Sequence, residues 1–159
     1  MSHKLWRIGT DTPDYTADDL TGTGARISGG RWNRKGTALV YCSESRALAC
    51  IESVVHLVAG SLPLNRYLVE LTVPRAVWQA AQTLNASSAP VGWDAQPEGK
   101  VSLDYGTQWV ISGSSALLRI PSTIVPEEFN VLINPFHPKA GLITAVKLRR
   151  WLYDPRLRI

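Results

Sequence analysis

Residues 38–60 read Ala38-Leu39-Val40-Tyr41-Cys42-Ser43-Glu44-Ser45-Arg46-Ala47-Leu48-Ala49-Cys50-Ile51-Glu52-Ser53-Val54-Val55-His56-Leu57-Val58-Ala59-Gly60, and this stretch decides how the 159-residue chain is read. Ala38–Cys42 is a compact apolar run of strand length, which predicts a buried strand. Ser43 follows as a candidate helix cap, with Glu44 favourably placed in the first turn. Leu48, Ile51, Val55 and Val58 then recur at helical spacing. That spacing predicts a helix over 44–59, stopped at Gly60.

Working outward, Lys4–Ile8 alternates apolar and polar residues and reads as a first strand ending at Gly9. Residues 10–36 are rich in Gly, Thr and Asp and read as an ordered loop with one short helical turn. Tyr67–Val73 alternates as a strand and stops at Pro74. Residues 79–100 have weak periodicity and suit an irregular crossing that covers one side of a site. A second helix is predicted over Leu103–Ile111, then strands at Leu117–Ile120, Asn130–Ile133 and Leu142–Leu148. Strict strand–helix alternation is missing. The expected fold is therefore a single α+β domain over 1–159, with a central, mainly antiparallel or mixed sheet flanked by helices.

Composition narrows the class further. A chain with 45% hydrophobic and 19% charged residues is too apolar to stay disordered. Its greasiest stretch, Ala47–Ala59, is interrupted by Glu52 and His56, which argues against a membrane span. The N-terminus, Met1-Ser2-His3-Lys4-Leu5-Trp6-Arg7, lacks the apolar segment of a signal peptide, so a cytoplasmic location is expected. Cys42 and Cys50 are too few for a disulfide framework. No metal-ligand spacing joins them to His3, His56 and His137, and no metal is expected.

The net charge is +4, and five bases (Lys147, Arg149, Arg150, Arg156, Arg158) face one acid, Asp154, within the last 13 residues. Such an end suits nucleic acid, a phosphate-bearing ligand, an acidic protein or simply solvent. The six tryptophans are scattered and do not form a base-stacking pattern.

The glycines at 22–30 invite a phosphate-loop reading, but Gly29 is followed by Gly30 and Arg31 where the Walker pattern needs Gly-Lys-Ser/Thr. The dinucleotide fingerprint also fails, because no regular helix face follows. A tight turn that places Arg31 is the better reading. Glu52 lies near the apolar stripe of its helix, where a carboxylate is costly unless paired. Its ordinary explanation is an ion pair with Arg46, Arg31 or His56. Tyr41 is ordinarily a core aromatic, and Arg31 ordinarily ties down a loop. A thiol nucleophile with His56 as base lacks a supporting acid in register.

Taken in order, Trp6-Arg7-Ile8, Gly29-Gly30-Arg31-Trp32-Asn33, Leu39-Val40-Tyr41, Ala47-Leu48-Ala49-Cys50-Ile51-Glu52 with Val55-His56-Leu57, Ile120-Pro121-Ser122 and Asn130-Val131-Leu132-Ile133-Asn134-Pro135 form a series. That series resembles the RES-domain toxins, named for an Arg, a Glu and a Ser, from residue 6 to residue 138. The resemblance implies an ADP-ribosyltransferase-like fold, with NAD⁺ as substrate and no cofactor beyond it. It implies a type II toxin–antitoxin system with an Xre-type helix-turn-helix antitoxin as partner, DNA being met only through that partner. It also implies cleavage of the nicotinamide–ribose bond with water or phosphate as acceptor, or alternatively ADP-ribosyl transfer to a protein. Arg31, Glu52 and Ser122 match the three family residues, while Arg7 and Tyr41 match positions lining the nucleotide pocket. Glu52 would stabilise the oxocarbenium-like ribosyl centre. Arg31 would grip the pyrophosphate, Tyr41 would offer an aromatic face, and Ser122 would donate to a ribose hydroxyl or a phosphate. Competing readings are a basic nucleic-acid-binding or ribonuclease toxin, and a non-catalytic module with an Arg31–Glu52 ion pair. Neither a monomer nor a homo-oligomer is fixed by the sequence.

Overall fold

A computed structural model describes residues 1–157, so Arg158 of the basic tail lies outside the described residues. Seven strands form one mixed sheet: β1 (Ser2–Thr10), β2 (Val40–Ser43), β3 (Arg66–Pro74), β4 (Gln82–Thr83), β5 (Leu117–Pro121), β6 (Phe129–Ile133) and β7 (Thr144–Arg150). Their order is β4-β5-β6-β2-β1-β3-β7, and only the β4–β5 contact is parallel. Four helices flank the sheet: α1 (Thr23–Ser28), α2 (Arg46–Val54), α3 (Arg75–Gln79) and α4 (Lys100–Ser112). This is the expected α+β architecture.

Strand alternation sorts the core. Leu5, Val69, Leu71, Val73, Val40, Cys42, Val131 and Leu117 form one buried face, covered by Val77 of α3 and by Ala17 and Ile143 from loops. The opposite face carries two clusters. In one, Ala49 of α2 packs on Trp6 and Leu68. In the other, Trp109 and Val110 of α4 pack with Trp32 and Trp93 over Leu39, Leu118, Ile120 and Leu132. Each fully buried Leu or Val contributes about 1.5–3 kcal/mol relative to exposure. The α4 packing is close enough that a Cβ on Gly106 would collide with the Trp32 carbonyl.

Several boundaries differ from the sequence reading. The helix expected over 44–59 spans only Arg46–Val54, and its cap is Ser45, whose hydroxyl accepts from the Leu48 amide at 3.0 Å. Ser43 instead ends β2. Val55 and Val58 keep the helical spacing but are exposed, since the chain has already turned away from the sheet. Gly60 therefore stops nothing; it lies in the following loop. The helix α3 and the two-residue β4 were not foreseen, and the strand expected from Leu142 begins at Thr144 after a short 3₁₀ turn.

One irregularity positions the site. All nine residues of β1 pair with β3, from Ser2↔Pro74 to Thr10↔Arg66, whereas β1 meets β2 only at Trp6↔Ser43. Beyond that pair the two strands splay. Arg7–Thr10 has no strand on its β2 side, and residues from the 15–25 segment enter the gap.

Candidate active site

The splay leaves a cavity of about 40 Å³ lined by Arg7, Tyr15, Asp19, Gly22, Leu39 and Tyr41 among others. That volume holds a water or so and no dinucleotide. It is a polar notch. The Nε of Arg7 is buried there without a hydrogen-bond partner, which leaves a cationic donor uncommitted. The structure thus brings Arg7 and Tyr41 to one place.

Tyr41 is held by its hydroxyl. It donates to Asn33 Oδ1 at 2.6 Å and accepts from the Trp32 amide at 3.0 Å. Burial pushes its phenol well above the usual range, so it stays neutral and does not act as a base. What it still presents is its half-buried ring. The glycine pair now has a reason: a Cβ on Gly30 would lie 2.7 Å from the Tyr41 hydroxyl and 3.0 Å from Asn33 Oδ1. Gly29, at φ +70°, makes the preceding turn. Gly30 and Asn33 close a bridge, and the buried Asn33 amide donates to the Ala25 and Thr37 carbonyls at 2.8 and 2.9 Å. This is the tight turn the sequence implied.

Arg31 projects from that turn. One terminal nitrogen donates to the Ala95 carbonyl at 2.8 Å and the Trp93 carbonyl at 3.2 Å. The ordinary reading of Arg31 as a loop tie is therefore correct for that nitrogen. Its other nitrogens make no hydrogen bond among the described residues. The irregular crossing does meet the site, as expected, through these two carbonyls.

Glu52 sits on α2 facing β6 and the β5 end. Its Oε1 accepts from the Ser122 hydroxyl at 2.6 Å and from the Asn130 side-chain amide at 2.8 Å. No cation lies within ion-pair distance of it among the described residues, so the expected pairing with Arg46, Arg31 or His56 is not formed. The reason is geometric for Arg46, whose guanidinium stacks 3.8 Å over the Trp6 ring instead. Two neutral donors solvate the carboxylate without cancelling its charge. Oε2 takes no donor among the described residues and is not among the buried unpartnered atoms, so it remains reachable.

Ser122 is fully buried. Its oxygen accepts from the Ile124 and Val125 amides, both at 3.1 Å, and its only proton goes to Glu52. The direct ribose or phosphate contact expected of Ser122 is closed to it in this geometry; it supports Glu52. Burial disfavours the thiolate at both cysteines: it pushes the Cys42 thiol up to about 12 and also raises Cys50. Sequence reasoning missed Asn130 and Ser43 as site residues. Ser43 Oγ donates to Asn130 Oδ1 at 2.7 Å, across the register pair Ser43↔Asn130.

Comparison with known proteins decides the family. A RES domain model matches residues 4–155. The chain belongs to the RES domain family. It is 58% identical over 157 residues to the Prs ADP-ribosylating toxin of Sphingobium sp. (strain YBL2), covering 99% of this chain and 98% of that protein. It is 35% identical to a toxin Res of Yersinia enterocolitica, covering 91% of this chain and 93% of that one. A toxin Res of Pseudomonas putida is 36% identical, at 86% and 87% coverage. Of the residues singled out in the sequence, Arg7 and Tyr41 line the splay, Arg31 turns to the 93–95 loop, and Glu52 meets Ser122 beside β6. No described helix is long and apolar enough to cross a membrane.

Proposed function

We propose that this RES-domain protein is an enzymatic toxin that breaks the nicotinamide–ribose bond of NAD⁺ and transfers the ADP-ribosyl group to a protein. The observation that carries the reading is Glu52: an inward carboxylate without a cation, one oxygen fixed and the other reachable. Such a group suits a positive charge that exists only in transit. In NAD⁺ the bond to nicotinamide breaks with both electrons leaving on the ring nitrogen, which neutralises the ring. The ribosyl carbon becomes oxocarbenium-like, and Glu52 Oε2 stabilises that charge or holds a ribose hydroxyl. A lone pair of the acceptor then forms the new bond to that carbon, and the acceptor's proton passes to water or to Glu52.

The remaining residues bind. Arg31 offers the pyrophosphate the nitrogens not engaged with the 93–95 loop. Arg7 supplies positive charge behind the mouth of the splay, and the Tyr41 ring packs on the ribose or nicotinamide. The dinucleotide lies across the mouth of the splay, since the notch itself is too small. A protein acceptor is favoured over water or phosphate by the extended identity to a toxin named for ADP-ribosylating Prs. The same relatives support a neutralising antitoxin, which we take to be of the Xre type.

The test is incubation of purified protein with NAD⁺ and Prs, following nicotinamide release and the mass of Prs, with and without phosphate. Nicotinamide release with an ADP-ribosyl mass gain on Prs supports the full reading. Release with free ADP-ribose or a phosphorylated product, and unmodified Prs, replaces transfer with hydrolysis or phosphorolysis. No release by folded, antitoxin-free protein overturns the reading.

A further inference from the structure

Ser43 has no part in the roles assigned so far, yet with Asn130 it forms the only route by which β2 reaches Glu52 among the described hydrogen bonds. Ser43 ends β2, pairs with Trp6 at the single β1–β2 contact, and pairs with Asn130 on β6. A carboxylate only accepts hydrogen bonds, so Asn130 must turn its NH₂ group to Glu52 and its oxygen to Ser43. The hydroxyl of Ser43, itself buried, donates to that oxygen at 2.7 Å and tethers the end of the amide that faces away from Glu52. Asn130 then donates at 2.8 Å to Glu52 Oε1, the same oxygen that takes the Ser122 proton. Two donors, one on β6 and one just past the end of β5, hold that oxygen in place, while Oε2 takes no donor among the described residues.

We infer that Asn130, tethered by Ser43, is a positioning residue that aims Glu52 Oε2 at the ribosyl carbon of NAD⁺. The inference rests on the functional reading above and deepens it. It explains why the strand pair that begins the splay also carries a polar relay: the point where β1 and β2 part is tied to the carboxylate that acts beside the opening. Asn130 touches neither substrate nor acceptor. Its effect passes through Glu52.

Two substitutions separate positioning from simple packing. Asn130→Asp keeps the shape and the bond from Ser43 but sets a carboxylate against Glu52; Asn130→Ala removes both bonds. If Asn130 only fills space, Asn130→Asp retains more activity than Asn130→Ala. If it aims Glu52, the order reverses. We expect kcat for nicotinamide release to fall about 10- to 100-fold in Asn130→Ala and further in Asn130→Asp, with KM for NAD⁺ within about threefold. Ser43→Ala, which removes the tether on the Asn130 oxygen but leaves its bond to Glu52, gives a smaller kcat loss at unchanged KM and serves where a 130 variant fails to fold. Near wild-type kcat in Asn130→Asp, or losses confined to KM, overturns the inference.

A second readout needs no activity. The side-chain amide resonances of Asn130, assigned by their loss in Asn130→Ala, should shift in both Glu52→Gln and Ser43→Ala. If the wild type releases no nicotinamide, the functional reading fails and the contact is judged on these resonances alone. Unshifted resonances overturn it.

Discussion

The two sides of β1 differ sharply. Towards β3 it is paired along all nine residues, and the side chains beneath, Leu5, Val69 and Leu71, are fully buried. Towards β2 it holds one register pair and then opens onto Arg7, Tyr41 and the 15–25 segment. The closed side is apolar and satisfied. The open side holds an uncommitted arginine nitrogen, a neutral phenol and, beside its first pair, a carboxylate held by neutral donors. On the proposed function, the fully paired edge of β1 and the candidate site lie on opposite sides of one strand, which makes their contributions separable by mutation.

The sharpest break of that symmetry is Glu52→Gln. The amide oxygen can still accept from Ser122 and Asn130, so the fold loses little. The negative charge is gone, and nicotinamide release should fall about 10²–10³-fold, equivalent to about 2.7–4 kcal/mol of transition-state stabilisation. The complementary change is Leu71→Ala on the closed side. It removes a fully buried side chain and should cost about 2–5 kcal/mol, seen in thermal or urea unfolding. Its activity per folded molecule should stay within about twofold. Activity lost in step with folding for Glu52→Gln, or activity lost without destabilisation for Leu71→Ala, would erase the distinction.

The closed side is also what the sequence made legible. Alternation in Tyr67–Val73 and the apolar run 38–42 announce buried strands because each pattern is local, and β3 and β2 lie where they indicate. Helix α2 was overextended because Val55 and Val58 keep the apolar spacing after the surface they would pack on has ended. Periodicity records side-chain type and carries no information on whether a surface remains. Ser43 was taken for the cap because Ser43-Glu44-Ser45 offers two candidates at one junction, and only the sheet decides between them. On the open side the resemblance points to Arg31, Glu52 and Ser122, but the contacts of Glu52 are not legible in the sequence, since it lies 70 positions from Ser122 and 78 from Asn130 along the chain. One signal was present: a polar Asn130 heading the apolar run Val131–Ile133.

Within the open side, Tyr41 divides into a hydroxyl and a ring. Tyr41→Phe removes the donor to Asn33 and the acceptor for the Trp32 amide, leaving two groups of the Gly30–Asn33 turn less well satisfied. Stability should fall by about 1–3 kcal/mol. If the ring alone meets the ligand, nicotinamide release at saturating NAD⁺ stays within about threefold, while Tyr41→Ala weakens KM by far more. Equal activity losses in the two variants would move the hydroxyl into the chemistry.

The smallest expected effect tests how the segment inserted into the splay is held. Asp11 Oδ1 accepts from the Ala17 amide at 2.8 Å, and Lys147 of β7 reaches both carboxylate oxygens at 2.8 and 2.9 Å. The Lys147 ammonium first, and the Ala17 amide second, hold the Asp11 carboxyl below its ordinary value of 3.8; the Asp11 hydrogen bond in turn raises Lys147 above 10.5. A carboxyl depressed in the folded state contributes stability that is complete above its unfolded value and is lost as pH falls through the folded one. For the raised Lys147 the contribution is complete below 10.5 and lost as pH rises through its folded value. Asp11→Asn should therefore flatten the melting temperature against pH at both ends, below about 4 and above about 10.5, while changing the midrange little. Because the pair is only partly buried, salt should shrink the difference between wild type and variant. A wild-type acid limb unchanged by Asp11→Asn would mean that the 11–28 segment is held by its backbone turns and Ala17 packing alone, and the open side of β1 would then owe nothing to the far edge of the sheet.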